Sequence, residues 1–190
     1  MRNLTLGHQA GIGLLLALLM IATRGHHVAT LQHLPSASWA VFFLAGVYLR
    51  PAWTLPILLC LAGALDFAAI NRGGVSSFCV TPAYAFLLPA YGSLWLAGRG
   101  YARRHRDRPG SLLPLTGHVL GGALVCELFS SGGFYFFGGR YADPTLAEFG
   151  SRLMQYFPAT LDNLVFYVGI ALMVHLALVA GAGIHRSRTG

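Results

Sequence analysis

Apolar residues come in long runs along this chain, separated by short polar segments that carry most of the arginines. A helix needs about 20 mostly apolar residues to cross a bilayer. On that measure the runs predict six spans, at roughly Leu4–Thr23, Ser38–Leu49, Trp53–Ile70, Pro82–Leu96, Leu115–Phe129 and Pro158–Ile184. The second is short for a full crossing and is expected to tilt or to continue into its flanks. The fourth opens with Thr81 as a candidate N-cap and Pro82 at the first helical position, where a missing N–H costs nothing. No linker, internal repeat or low-complexity tract interrupts the pattern. Residues 1–190 therefore read as a single six-span transmembrane domain, an all-α integral membrane protein whose termini share one side.

Arginine placement selects that side. With the N-terminus in the cytoplasm, the inner segments hold Arg2, Arg50, Arg99, Arg103, Arg104, Arg106, Arg108, Arg186 and Arg188, nine in all. The outer segments hold four: Arg24, Arg72, Arg140 and Arg152. The positive-inside rule then predicts cytoplasmic N and C termini.

Composition agrees. Of 190 residues, 55% are hydrophobic and 10% charged, with a mean hydropathy of +0.60. A soluble domain carries about 25% charged residues, so small soluble enzymes, nucleic-acid readers and disordered tails are excluded. The formal charge of +7 sets 13 arginines, with no lysine, against six carboxylates, and the arginines lie mostly between apolar runs. That is membrane topology and makes lipid, not nucleic acid, the expected surroundings. No GxxxxGK[ST] motif occurs, so uphill transport would draw ATP hydrolysis from a partner. Arg2 precedes the first run, but no small-residue cleavage pattern follows Ile21–Ala22, which favours a retained first span over a signal peptide. Three cysteines support no disulfide framework, and Cys60 and Cys126, inside apolar runs, read as small packing residues.

Ionisable groups inside spans are functional candidates, and here they gather on the outer side. Asp66 lies one turn from the outer end of span three, Glu127 near the outer end of span five, and Asp162 about one turn into span six. His26, His27 and His33 follow span one, and Tyr84 begins span four. This one-sided polarity predicts a cavity opening outward. Asp162 reads equally as a partner for helix backbone or a tyrosine, and Glu127 equally as a helix-packing contact. His118 and His175, in the inner half, read as interhelical hydrogen-bond partners. Alternatively they form a haem- or metal-ligand pair of a membrane enzyme. The segment 132–139, aromatic between glycine doublets, reads as an outer interface-seeking loop or as a lid.

The segment Asn71-Arg72-Gly73-Gly74-Val75-Ser76-Ser77-Phe78-Cys79-Val80-Thr81-Pro82 joins spans three and four on the outer face. Its glycines let the chain fold back over the bundle mouth. Cys79, two residues before the N-cap, lies at the positive end of a helix, with Arg72 close in sequence; both favour a thiolate. A thiolate suits a transition metal rather than Mg²⁺ or Ca²⁺. A lone cysteine gives no zinc-site spacing, which leaves two readings, a free loop thiol or one axial ligand for a metal that arrives already chelated.

Six short spans, a glycine-serine loop after span three and outward-facing polar groups resemble the substrate-binding subunits of energy-coupling factor (ECF) vitamin transporters. More narrowly, Asp66, Ser76-Ser77-Phe78-Cys79, Tyr84 and Arg152, with Thr-Pro-x-Tyr after the cysteine, resemble the BtuM-type cobalamin uptake proteins of Gram-negative bacteria. The resemblance covers essentially the whole chain. It implies an ECF-type six-helix bundle in the bacterial inner membrane with cobalamin as transported substrate. Cys79 becomes the axial cobalt ligand, holding the vitamin base-off, with His27, Asp66, Ser76, Ser77, Phe78, Tyr84 and Arg152 as substrate-binding residues. A thiolate on one face of the corrin would labilise the opposite ligand and so assist decyanation of cyanocobalamin, an accessory catalytic role for Cys79. The Ala-x-x-x-Ala pattern that docks the ECF coupling protein is replaced on span one by Gly7…Gly11 and Gly13…Ala17. The partner is then either that coupling protein with its ATPases or none, the chain working alone.

Overall fold

Runs this apolar satisfy their backbone only as helices in a membrane, and helices are what a computed structural model of the chain contains. It describes residues 5–24, 35–73, 82–104 and 112–188. Among them are α1 (Leu6–Arg24), α2 (Ser38–Tyr48), α3 (Thr54–Gly73), a 3₁₀ segment (Pro82–Phe86) leading into α4 (Leu87–Arg104), α5 (Leu112–Phe137) and α6 (Leu146–Arg188), with no strand. We call the end where α1 and α3 finish and α2 and α4 begin the upper end.

Four of these helices, α1, α3, α5 and α6, are long and apolar enough to cross a membrane. The other two differ for a physical reason. The short α2 has 11 residues, eight of them buried, so it is wrapped by protein rather than lipid. It packs along α4, which buries Tyr91, Leu94 and Trp95 against it. This α2–α4 seam brings two backbones together. A Cβ on Gly46 would lie 2.1 Å from the Trp95 carbonyl oxygen, and one on Gly98 would lie 2.1 Å from that of Phe43. Only glycine permits that approach at both positions. Phe42 stacks flat on Tyr91 beside it, with ring centroids 4.3 Å apart.

Two expectations are corrected. The segment around Phe134–Phe137, expected as an outer loop or lid, is the last part of α5. Its glycine doublet is helical because neighbouring rings use the space: Phe149 lies against Gly132, and Phe86 lies against Gly133. The helix stops just beyond, where the Gly138 N–H donates to the Phe134 carbonyl at 2.9 Å and Gly139 turns left-handed, φ +71°. Span six, expected from Pro158, instead starts at Leu146 and passes through that proline. Thr145 starts it: its Oγ1 accepts the Glu148 N–H at 3.2 Å, as in a capping sequence Thr-x-x-Glu. Arg152 is therefore on a helix rather than in a loop, and Asp162 lies about four turns into α6. At 43 residues α6 is about 64 Å long, twice the ~30 Å of a hydrocarbon core. Its Tyr167 hydroxyl donates to the Pro35 carbonyl at 2.7 Å, level with the start of α2.

Candidate functional site

Two polar groups occupy the upper end. The first centres on Asp66, near the C-terminal end of α3. Arg24, the last residue of α1, grips its carboxylate with both arms of the guanidinium fork: Nε donates to Oδ1 and Nη2 to Oδ2, each at 2.7 Å. The geometry is the bidentate arrangement that makes arginine–carboxylate pairs strong. Nη1 of Arg24 donates to Ser38 Oγ at 2.9 Å and to the Tyr91 hydroxyl at 2.8 Å, and the guanidinium lies 5.5 Å from the Tyr91 ring centroid. Tyr84, in the 3₁₀ segment, donates its hydroxyl proton to Asp66 Oδ2 at 2.7 Å. One carboxylate and one guanidinium thus connect α1, α2, α3, the 3₁₀ segment and α4. Arg24 keeps 12% and Asp66 26% side-chain exposure, so the pair is desolvated without being sealed.

The second group is a recess of about 310 Å³ between α5 and the first turns of α6. Glu127 and Ser131 lie on its α5 side, Arg152 and Tyr156 on α6, and Tyr135, Tyr141 and Phe149 supply aromatic wall. Glu127 is buried and accepts a short hydrogen bond from Ser131, one turn along. Arg152 bonds Glu148 at 3.3 Å and lies over Tyr141, 4.7 Å from the ring centroid. The recess is at the small end of ligand pockets. A carboxyl acceptor and a guanidinium donor facing one aromatic hollow can hold a polar side arm of a larger molecule, and a corrin ring exceeds it.

Of the residues singled out in the sequence, the structure brings Asp66 and Tyr84 into direct contact. Arg152 joins the other group. His27, Ser76, Ser77, Phe78 and Cys79 lie outside the described residues, as do His26, His33 and Thr81. Cys60 and Cys126 are free thiols, Cys60 exposed and Cys126 in the core. His118 and His175 pack on different helices. The His118 ring meets Tyr101 of α4 at 5.9 Å, and its Nδ1 lies 2.8 Å from the Pro114 carbonyl. His175 meets Tyr48 of α2 at 6.1 Å. Among the described residues no three His, Cys, Asp or Glu side chains cluster as a metal site would require.

Arg24 is the residue that sequence reasoning missed. In the sequence it reads only as an outer charge, yet it ends an apolar span where Asp66 sits inside another. Opposite charges at matching depth in two spans were the available signal.

These features define a class: an all-helical protein in which four described helices can cross a membrane, with the carboxylates of its described residues gathered toward one end. No family model matches the sequence, and no curated protein matches it.

Proposed function

We propose that the chain imports cobalamin across the bacterial inner membrane, binding it at the upper end with that end facing the periplasm. The observation that carries this reading is the 2.7 Å contact between Tyr84 and Asp66, 18 residues apart in sequence. These two residues flank the segment holding Ser76, Ser77, Phe78 and Cys79, and the BtuM-type resemblance rests on both of them and on that segment. Their contact brings the two sides of that segment to one polar group.

The chemistry of the reading is direct. A corrin periphery bears amides, which need both donors and acceptors. The Arg24–Asp66–Tyr84 group supplies a carboxylate whose donors already fix its orientation, so little entropy is lost when a further amide N–H arrives. The recess at Glu127 and Arg152 receives one polar side arm. Cys79 acts as thiolate on the lower axial face of cobalt and displaces the vitamin's own base. For cyanocobalamin, water enters on the opposite face as cyanide leaves with its electron pair, a ligand substitution that leaves the cobalt oxidation state unchanged. Binding without a coupling partner matches the small-residue spacing Gly7…Gly11 on α1, which allows close helix contact without the ECF docking pattern. The haem alternative loses ground because His118 and His175 face different helices.

Titration of detergent-purified protein with cobalamin, followed by absorbance, tests the proposal. The wild type is expected to shift the corrin bands toward a base-off thiolate spectrum, and Cys79→Ala to lose the shift. Wild-type protein that leaves the spectrum unchanged, or Cys79→Ala with undiminished uptake in cells, overturns it.

A further inference from the structure

The lower end of the bundle is chemically unlike the upper one. All five carboxylates among the described residues belong to the upper end: Asp66 with Arg24, Glu127 with Ser131, Glu148 with Arg152, Asp143 in the α5–α6 connection, and Asp162 before Tyr167 in α6. The lower end instead carries Arg50, just after α2, and Arg99, Arg103 and Arg104 in the last turns of α4. Arg103 and Arg104 are exposed, whereas Arg99 is half-buried. Its guanidinium stacks on Trp95, one turn back, with 4.5 Å between the guanidinium carbon and the ring centroid. Its Nη2 donates to the Arg50 carbonyl oxygen across the α2–α4 seam.

Two donors in this stacked pair have no acceptor among the described residues. Nη1 of Arg99 and the indole Nε1 of Trp95 are both buried without a hydrogen-bond partner among the described residues. Buried donors left unmade are destabilising, and here the deficit coincides with a positive charge that no described carboxylate offsets. A tyrosine or carbonyl would satisfy one donor and leave the charge. An anion whose oxygens only accept would satisfy both donors and the charge together, and the planar guanidinium fork matches a phosphate. The location narrows the source. Trp53, 62% exposed, follows Arg50 at this end, and tryptophan and arginine together mark the depth at which phospholipid headgroups lie.

We propose that Arg99, Trp95 and Arg103 form a seat for the phosphate of an anionic phospholipid headgroup at the lower end of the α2–α4 seam. Seating it turns Nη1 of Arg99 toward the headgroup layer while the Nη2 bond to the Arg50 carbonyl serves as pivot. Arg103, one helical turn beyond and exposed, closes over the phosphate from the aqueous side. The bound lipid then fastens the seam that Gly46 and Gly98 bring together.

The test uses the full-length protein, delipidated in detergent. Phosphatidylglycerol, phosphatidylcholine and inorganic phosphate are added separately, and binding is read by native mass spectrometry and by the shift in unfolding temperature. Phosphatidylglycerol is expected to bind and stabilise the wild type more strongly than phosphatidylcholine does. Arg99→Gln is expected to weaken its binding roughly fivefold, the scale of one basic group at a lipid surface, with smaller losses for Trp95→Phe and Arg103→Gln. Equal effects of the two lipids overturn the proposal, as does unchanged phosphatidylglycerol binding by Arg99→Gln. Inorganic phosphate that reproduces the shift and competes with the lipid overturns the lipid as occupant while keeping the phosphate seat. Should Arg99→Gln fail to fold, Trp95→Phe and Arg103→Gln decide the matter by the same criterion.

Discussion

Arg24 and Arg99 are both half-buried arginines at helix ends, and each lies over an aromatic ring of α4, Tyr91 and Trp95, one turn apart. Their surroundings differ. Arg24 meets a carboxylate along its Nε–Nη2 edge and two hydroxyls at Nη1. Arg99 meets one backbone carbonyl and keeps one buried N–H without a partner among the described residues. Among the described residues, the fold supplies an anion at the upper end and none at the lower. An internally neutralised group is suited to orient a substrate that arrives with amides. A group left positive is suited to hold an anion from outside.

The comparison can be broken first at the seam that joins both ends. Gly98→Leu places side-chain atoms where the Phe43 carbonyl already lies and is expected to lower stability by about 3 kcal/mol, seen as a large drop in unfolding temperature. Gly121→Ala, where a Cβ meets nothing within 4 Å, serves as control and is expected to be neutral or slightly stabilising. Next comes the upper pair. Arg24→Met strands the Asp66 carboxylate and should cost about 2 kcal/mol. The double variant Arg24→Met with Asp66→Leu should recover part of that loss. A double variant no better than the sum of its singles would mean that the two side chains act independently.

A smaller effect is expected from Tyr84→Phe, which removes one hydrogen bond to Asp66 and about 1 kcal/mol of stability. On the proposed function it also weakens cobalamin binding, measured by the same absorbance titration. Arg152→Ala sharpens the contrast most finely. Its pairing with Glu148 is between neighbours on one helix, both substantially exposed, so no measurable shift in unfolding temperature is expected. A loss of cobalamin affinity in that variant with stability intact would assign the recess to the ligand rather than to the fold.

Much of the fold was legible because hydropathy alone decides which segments can be helices in lipid. The spans at Leu4–Thr23, Ser38–Leu49 and Trp53–Ile70 match α1, α2 and α3 within a few residues. The differences fall where glycine and proline read locally as punctuation. Pro158 suits a helix start by its ring, yet the hydroxyl at Thr145 was the stronger start signal. Gly132 and Gly133 look like a loop until the rings of Phe149 and Phe86 are known to need their missing side chains. Likewise nothing local at Gly46 and Gly98 reveals that they face each other's helices, because that closeness belongs to the packing of α2 on α4. The candidate site was legible in part for a similar reason. Asp66 and Tyr84 stand out as polar residues in apolar company, but Arg24 acquires its meaning only from a partner 42 residues away.

Cobalt K-edge X-ray absorption on the protein–cobalamin complex bears most directly on the central claim, since it reads the ligands of the metal itself. A cobalt–sulfur scattering path in the wild type, lost in Cys79→Ala, is the result predicted. A wild-type complex whose cobalt has only nitrogen, carbon and oxygen neighbours would contradict the account.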